Sequence, residues 1–167
     1  AAFLSGCGFC ATYAWYISSA KTMSSNGEAP LAQVGKVGDE VLRRPSTRLL
    51  WSSVSTGDSL FNGETIRTSE RGEVRIQFED GRFIDLEADS MIVLKKSQGE
   101  IALDLMEGSL FVNAQANNPG GKPGEGASPG LVLNSGQGKV DLSGASASLA
   151  KGKGNAVDVQ VLEGKAK

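Results

Sequence analysis

The clearest pattern of apolar and polar positions lies between Gly57 and Leu94. In this stretch, short apolar alternations are separated by turns that contain glycine. Val74, Ile76 and Phe78 alternate with charged or polar residues, and a period of two is the signature of a half-buried β-strand. Similar alternations recur further along the chain. The sequence therefore predicts an all-β domain of short strands and tight turns, either solenoid-like or a twisted β-sandwich.

The chain is predicted to reverse direction after this strand, at residues 79–81. A two-residue loop sets the apolar Ile76 opposite Asp85, so we reject that register. A three-residue loop, with Gly81 in the left-handed conformation, sets Ile76 opposite Ile84 instead. The full predicted register pairs Val74 with Leu86, Arg75 with Asp85 and Ile76 with Ile84.

The chain also resembles itself at an offset of 56 residues, which aligns Asp85 with Asp141. The apolar alternation of residues 101–105 then aligns with that of residues 157–161, and each ends in Glu-Gly. We predict two comparable β units that stack or pair, because neither unit buries its apolar face alone. The predicted turn residues are Gly81, Gly108 and Gly164, and the predicted core includes Ile76, Phe78, Leu86, Leu103 and Leu105.

The first twenty residues carry no charge, and Lys21 is the first charged residue. Twenty uncharged residues just cross a hydrocarbon core about 30 Å thick. Aromatic residues towards the end of the stretch suit a membrane interface. We therefore predict a transmembrane helix over residues 1–21, a linker over 22–33 and a β domain over 34–167.

Small side chains recur at every fourth position of the predicted helix and would line one of its faces. Such a seam lets a second helix approach closely, although small residues are also common in simple anchors. The seam residues are Gly6, Cys10, Ala14 and Ser18.

Cys7 gives a second interpretation of the same stretch. Residues 4–7 resemble a lipobox, in which the cysteine is lipidated, although the apolar sequence that follows weakens this hypothesis. A third interpretation of these residues is an ordinary cleaved signal peptide. Cys7 and Cys10 also form a Cys-x-x-Cys, but the remaining chain supplies no further cysteine or histidine for a zinc site.

Two segments of the β domain look like loops. Residues 114–130 are rich in Gly, Pro, Asn and Ser without an apolar run, which predicts a mobile insertion. Residues 43–46, Arg-Arg-Pro-Ser, are expected to interrupt the β pattern, and residues 49–54 to resume it. Arg43, Arg44 and Arg48 form a basic cluster there, and such small clusters are more often solvated loops than lipid sites.

Several short motifs between Gly57 and Gly108 together resemble the FecR domain. They are the Gly-Asp-x-Leu at 57–60, the Gly-Glu-x-Ile-Arg-Thr at 63–68, the Asp-Gly at 80–81 and the Glu-Gly at 107–108. The resemblance covers roughly residues 34–167. It implies a solenoid-like periplasmic β domain in a membrane-anchored bacterial protein. Named members of the family are transmembrane regulators that relay a transport signal to a sigma factor, and others use the domain as a binding module.

The composition of the chain limits which binding and catalytic functions are compatible with it. Seventeen basic and nineteen acidic residues give a net charge of -2, which shows no overall electrostatic footprint for nucleic acid or an anionic membrane. Histidine is absent, which excludes serine–histidine and cysteine–histidine catalysis. The carboxylates Asp80, Asp85, Glu87 and Asp89 are expected on a solvated strand face rather than as an acid–base pair. No calcium loop or phosphate loop is present, so no metal or cofactor is expected.

These observations favour a non-enzymatic module in the bacterial inner membrane, with its β domain in the periplasm. Its expected partners are the bilayer and other membrane or periplasmic proteins, bound through the helix and the β domain. The alternative is a signal transducer of the sigma-regulator type. A third hypothesis, an envelope enzyme or glycan-binding protein, has little support because aromatic residues make up only 6% of the chain.

Overall fold

The computed structural model describes residues 27–115, 129–135, 138–142, 144–151 and 157–163. Every regular element in these residues is a β-strand, which confirms the all-β prediction. These residues include no helix that could cross a bilayer. The predicted helix over residues 1–21, with its seam and Cys7, lies outside the described residues, as do Gly164 and residues 116–128 of the predicted insertion.

The thirteen strands of the described residues form one connected, curled, open sheet. The first seven are β1 (Ala32–Val37), β2 (Val41–Arg44), β3 (Ser52–Ser53), β4 (Ser59–Leu60), β5 (Thr65–Thr68), β6 (Val74–Gln77) and β7 (Phe83–Leu86). The others are β8 (Met91–Ser97), β9 (Glu100–Asn113), β10 (Gly130–Ser135), β11 (Gly138–Asp141), β12 (Ser146–Lys151) and β13 (Val157–Glu163).

Strand β9 is long enough to belong to two arms of the sheet. Its first half pairs with β8 and, in parallel, with β10, whereas its second half pairs with β7 and β12. The first arm therefore runs β4-β1-β6-β7-β9-β12-β13. The second arm runs β3-β2-β5-β8-β9-β10-β11. Each arm thus has seven described strands, with β9 shared.

The chain winds to and fro between these arms, which gives the molecule two distinct ends. At the crossing end, residues 38–40, 54–58, 69–73 and 87–90 connect the arms; the Ser69 N–H, for example, donates to the Glu40 carbonyl over 3.1 Å. At the loop end lie the hairpin loops at residues 45–51, 79–81 and 98–99, together with residues 61–64, which connect β4 of the first arm to β5 of the second. There the Gly63 N–H donates to the Leu94 carbonyl over 2.7 Å.

One hydrophobic cluster fills the space between the arms and includes apolar residues of both. Each strand contributes alternate residues to the cluster because successive side chains of a strand point to opposite faces. All five predicted core residues are buried, and Leu103 is fully inaccessible. Ala114 also belongs to the core, so the prediction that it begins a surface loop was wrong.

The β6–β7 hairpin has the predicted register. Val74, Arg75 and Ile76 pair with Leu86, Asp85 and Ile84, in that order. A hydrogen bond of 2.9 Å from the Phe78 N–H to the Arg82 carbonyl closes a three-residue loop, in which Gly81 has φ of 86°. The register was predictable because a slip by one residue would have exposed every apolar side chain of the strand.

The structure also supports the internal repeat. Strands β8 and β9 form an antiparallel hairpin in which Met106 is skipped by the pairing, and β12 and β13 form one in which Leu162 is skipped. These two bulges are 56 residues apart. The two units pair directly, through β9 and β12. However, β13 is an edge strand in the described chain, so its Val159 and Val161 remain 38% and 40% exposed.

Two expectations about the first strands were wrong. Arg43 and Arg44 do not interrupt the β pattern, because β2 continues through both and ends before Pro45. Leu49 and Leu50 do not resume it, because they lie in the loop before β3 and are almost fully exposed. The apolar pair Leu49 and Leu50 therefore resembled part of a buried strand in the sequence, although it belongs to an exposed loop.

Gly108 lies inside β9, at the point where that strand passes from one arm to the other, and not in a turn between strands. Its φ is 84°, a conformation that side chains rarely adopt. A Cβ atom on Gly108 would lie 2.5 Å from the Ser90 Cα and 2.6 Å from the Asp89 carbonyl oxygen. The close crossing of the two segments therefore requires glycine.

We predict that Gly108→Ala lowers the free energy of unfolding by about 3 kcal/mol or more, because a methyl group would meet backbone atoms as well as an unfavourable φ. Gly99→Ala is the matched control, since Gly99 also has positive φ (81°) but nothing within 4 Å of its Cβ position. That change should cost about 1 kcal/mol. Urea denaturation followed by circular dichroism measures both, and equal costs would contradict the crowding argument.

Candidate protein-binding surface

The outer face of the first arm carries a row of charged and aromatic side chains. Arg75 of β6 pairs with Asp85 of β7, and Asp85 pairs in turn with Phe111 of β9. These side chains point outward because their neighbours in each strand fill the core. Phe83 lies beside them on β7.

The side chains of this row hold one another in place. Arg75 donates from Nε to Asp85 Oδ1 over 2.7 Å and from Nη2 to Asp85 Oδ2 over 2.6 Å. Its guanidinium also lies 4.4 Å from the centre of the Phe83 ring, whose own centre is 6.1 Å from that of Phe111. A two-pronged contact between arginine and a carboxylate fixes both groups. The surface is therefore preorganised.

A groove of about 390 Å³ runs beside the row, towards the crossing end. Arg71, Glu73 and Glu87 line it together with Lys36, whose Nζ lies 2.7 Å from Glu73 Oε1. We name this the outer groove; it includes Arg75, Asp85 and Phe111 among its lining residues. Arginine and aromatic side chains, which this surface combines, are enriched at protein interfaces.

Of the four carboxylates considered from the sequence, Asp85 and Glu87 both line the outer groove, but they contact different partners. Asp85 contacts Arg75, whereas Asp80 contacts Arg82 within the hairpin loop. Glu87 accepts a hydrogen bond from the Ser109 hydroxyl. Among the residues that the structure describes, no group of three potential metal ligands occurs.

Arg82 is a buried charge that sequence reasoning missed. It is only 3% exposed, and its Nε donates to Asp80 Oδ2 over 2.7 Å. The Asp80 Oδ1 also accepts from the Arg82 backbone N–H over 3.1 Å. Asp80 therefore neutralises the buried arginine and closes the loop. The turn signal Asp-Gly was visible in the sequence, but the burial of the next residue was not.

Glu64 is the second buried charge that the sequence did not reveal. Its side chain is 2% exposed, and the described chain offers neither carboxylate oxygen a hydrogen bond of good geometry. Its nearest positive group is the Arg43 guanidinium, with Nη1 4.0 Å from Glu64 Oε2. Burial raises the pKa of Glu64 above its ordinary value, and the charge of Arg43 opposes part of that rise.

The predicted turn glycines are not part of one site. Gly81 lies at the loop end, in the β6–β7 hairpin, and Gly108 lies within β9. The seam residues, Cys7 and Gly164 lie outside the described residues.

The match to a family model agrees with the motifs on this fold. A model described as FecR protein matches residues 64–167, which is more than half of the chain. The chain belongs to the FecR protein family. FecR is a regulatory family rather than a family of enzymes. The residues of this FecR domain that form the outer groove lie mostly within the matched range.

Two other comparisons add little to this assignment. A solved structure described as a cell surface anchoring domain has a TM-score of 0.37 and 26% sequence identity; the alignment covers 39% of this chain and 84% of that one. No curated protein matches the FecR chain.

The raised pKa of Glu64 predicts a specific dependence of stability on pH. The unfolded chain ionises Glu64 near its ordinary value of 4.5, whereas the folded chain holds the proton to higher pH. The contribution of Glu64 to stability is therefore largest at low pH and is lost as pH rises through its folded pKa. Glu64→Gln removes this loss, so the variant should gain stability relative to wild type between pH 4 and pH 7.

Thermal melts of both proteins across that range measure the difference, and the opposite slope would contradict the burial argument. Arg43→Met is the companion variant. Because it leaves the buried carboxylate without its positive neighbour, it should lower stability at pH 7 by about 3 kcal/mol, with a smaller loss at pH 4, where Glu64 is protonated.

Proposed function

We propose that this FecR family protein is a non-enzymatic module of the bacterial envelope, anchored in the inner membrane by its N-terminal segment, with its β domain in the periplasm. In this proposal, the β domain binds another protein as an accessory subunit of an envelope complex. Family membership supports an envelope role that is regulatory rather than enzymatic.

The observation that carries the binding role is the preorganised row beside the outer groove. Arg75, Phe83 and Asp85 are already fixed by mutual contacts, so a partner meets them without ordering flexible side chains first. Arginine and aromatic residues are also those that contribute most to protein interfaces. The groove is open and carries both charge signs, which suits a polypeptide better than a small apolar ligand.

Purification of the tagged full chain from its native membranes in mild detergent tests this proposal. Wild-type protein should recover a partner in stoichiometric amount. Arg75→Ala should weaken that recovery about tenfold, the effect of losing about 1.4 kcal/mol at one interface contact. Lys95→Ala is the matched control, because Lys95 forms a cross-strand ion pair with Asp104 on the second arm.

Recovery of the wild-type chain alone would count against a scaffold role. Equal losses for the arginine and lysine variants would place the partner somewhere other than the outer groove. Circular dichroism of each variant shows whether its fold is retained, so unfolding is not mistaken for lost binding.

A second candidate function is a transmembrane signal transducer of the sigma-regulator type, and family membership is the observation that favours it. This function predicts that deletion of the gene changes transcription from the promoters of one sigma factor. It also predicts that Arg75→Ala, expressed at normal level, reproduces that change. An unchanged transcript profile in the deletion strain would leave only the scaffold role.

A further inference from the structure

The loop between β2 and β3 carries the most exposed apolar side chains of the described chain. Leu49 is 90% exposed and Leu50 is 82% exposed. A hydrogen bond of 3.1 Å from the Arg48 N–H to the Pro45 carbonyl turns the backbone just before them. Single exposed leucines are common, but two adjacent ones at the tip of a loop present a continuous apolar surface to the surroundings.

Cationic and aromatic groups flank the two leucines. The Arg44 guanidinium lies 4.8 Å from the centre of the Trp51 ring, and Arg48 is exposed. The segment from Arg44 to Gly57 contains two arginines and no acidic residue, although the whole chain has a net charge of -2. Arg43, just before it, is mostly buried and faces Glu64. Leucine, tryptophan and arginine together are typical of segments that lie in the interface of an anionic bilayer.

The position of the loop in the domain also favours contact with a bilayer. A Cβ atom on Gly63 would lie 3.0 Å from the Ser46 Cβ, so the loop contacts residues 61–64. Asn62 of that segment donates to Glu28 Oε1 over 3.4 Å, at the N-terminal start of the described chain. Seven residue steps separate Glu28 from Lys21, the end of the expected anchor, and they span at most about 25 Å. The described chain therefore begins at the loop end of the domain, and the anchor that the proposed function assumes would hold this end within about 25 Å of the bilayer.

We propose that Leu49 and Leu50 insert into the headgroup region of an anionic bilayer, with Arg44 and Arg48 contacting lipid phosphates. This contact goes beyond the proposed binding role of the outer groove, which lies towards the crossing end. It orients the β domain with its loop end on the membrane and its groove facing away. The local excess of arginine, rather than the net charge of the chain, recognises the lipid.

Trp51 provides a probe for this contact without a label. In the full chain carrying Trp15→Phe, Trp51 is the only tryptophan. The protein is reconstituted into vesicles of phosphatidylcholine with phosphatidylglycerol, in which the acyl chains carry bromine near the headgroups. We expect the brominated lipid to quench Trp51 fluorescence. Quenching should be weaker in vesicles of phosphatidylcholine alone, because electrostatic attraction is then lost.

Variants separate the contact from simple anchoring by the N-terminal segment. The double variant Leu49→Ser with Leu50→Ser should abolish the quenching, and it should not unfold the domain because both side chains are exposed. Arg48→Gln should lower the ratio of docked to undocked loop about fivefold in anionic vesicles. The matched control is Met106→Ser with Leu162→Ser, which changes two exposed apolar residues outside the loop and should leave quenching unchanged.

Equal quenching in wild type and the Leu49/Leu50 double variant would overturn the proposal. Absence of quenching in the wild type would also overturn it. A second copy of the chain would then be the occupant if chemical cross-linking in the same vesicles captured dimers that the double variant lost.

Discussion

The fold depends on the close crossing of Gly108 and Ser90 at the point where the two arms meet. The Ser90 hydroxyl accepts from the Ser109 N–H over 2.9 Å and lies within 3.0 Å of the Ser109 carbonyl. On the other side, the Ser90 N–H donates to the Thr68 hydroxyl over 2.9 Å, and that hydroxyl donates to the Glu87 carbonyl over 2.6 Å. The two hydroxyls thus accept from the backbone N–H groups of Ser109 and Ser90 at a point where Ser90 is fully buried. Hydrogen bonds therefore connect the two arms at this crossing.

The meeting of the two arms places apolar and polar side chains on opposite faces of the sheet. Alternate residues of both arms fill one shared core, while the residues between them form charged pairs on the outside. Charged pairs on the surface contribute little to stability. They hold the positions of Arg75 and its neighbours instead, and this is why a surface that does not stabilise the fold can still be well ordered.

The features that depend on residues close together in the sequence were predicted correctly. The β6–β7 register and the core residues followed from a period of two, because only one register buries both apolar rows. The repeat was visible because both hairpins keep the same Glu-Gly step. Pairings between distant strands, such as β9 with β10, were not predictable, because many apolar strands could satisfy the same edge.

Charged residues in the core were missed for a related reason. Glu64 and Arg82 lie in polar turn sequences, and nothing in those sequences distinguishes a buried charge from a solvated one. Their burial follows from strands that arrive from elsewhere in the chain. The reverse error occurred at Leu49 and Leu50, where an apolar run suggested a strand although none of the described segments covers it.

Because the two arms share β9, each arm can also differ in width at its outer edge. Along the chain, each strand added to an arm widens that arm by about 4.8 Å, the distance between neighbouring strands. The first arm, with seven described strands, therefore measures about 29 Å along its curve from β4 to β13. A strand gained or lost at the outer edge of either arm would leave the Gly108 crossing unchanged. The width of such a domain can thus change in steps of one strand while the junction between the arms keeps its geometry.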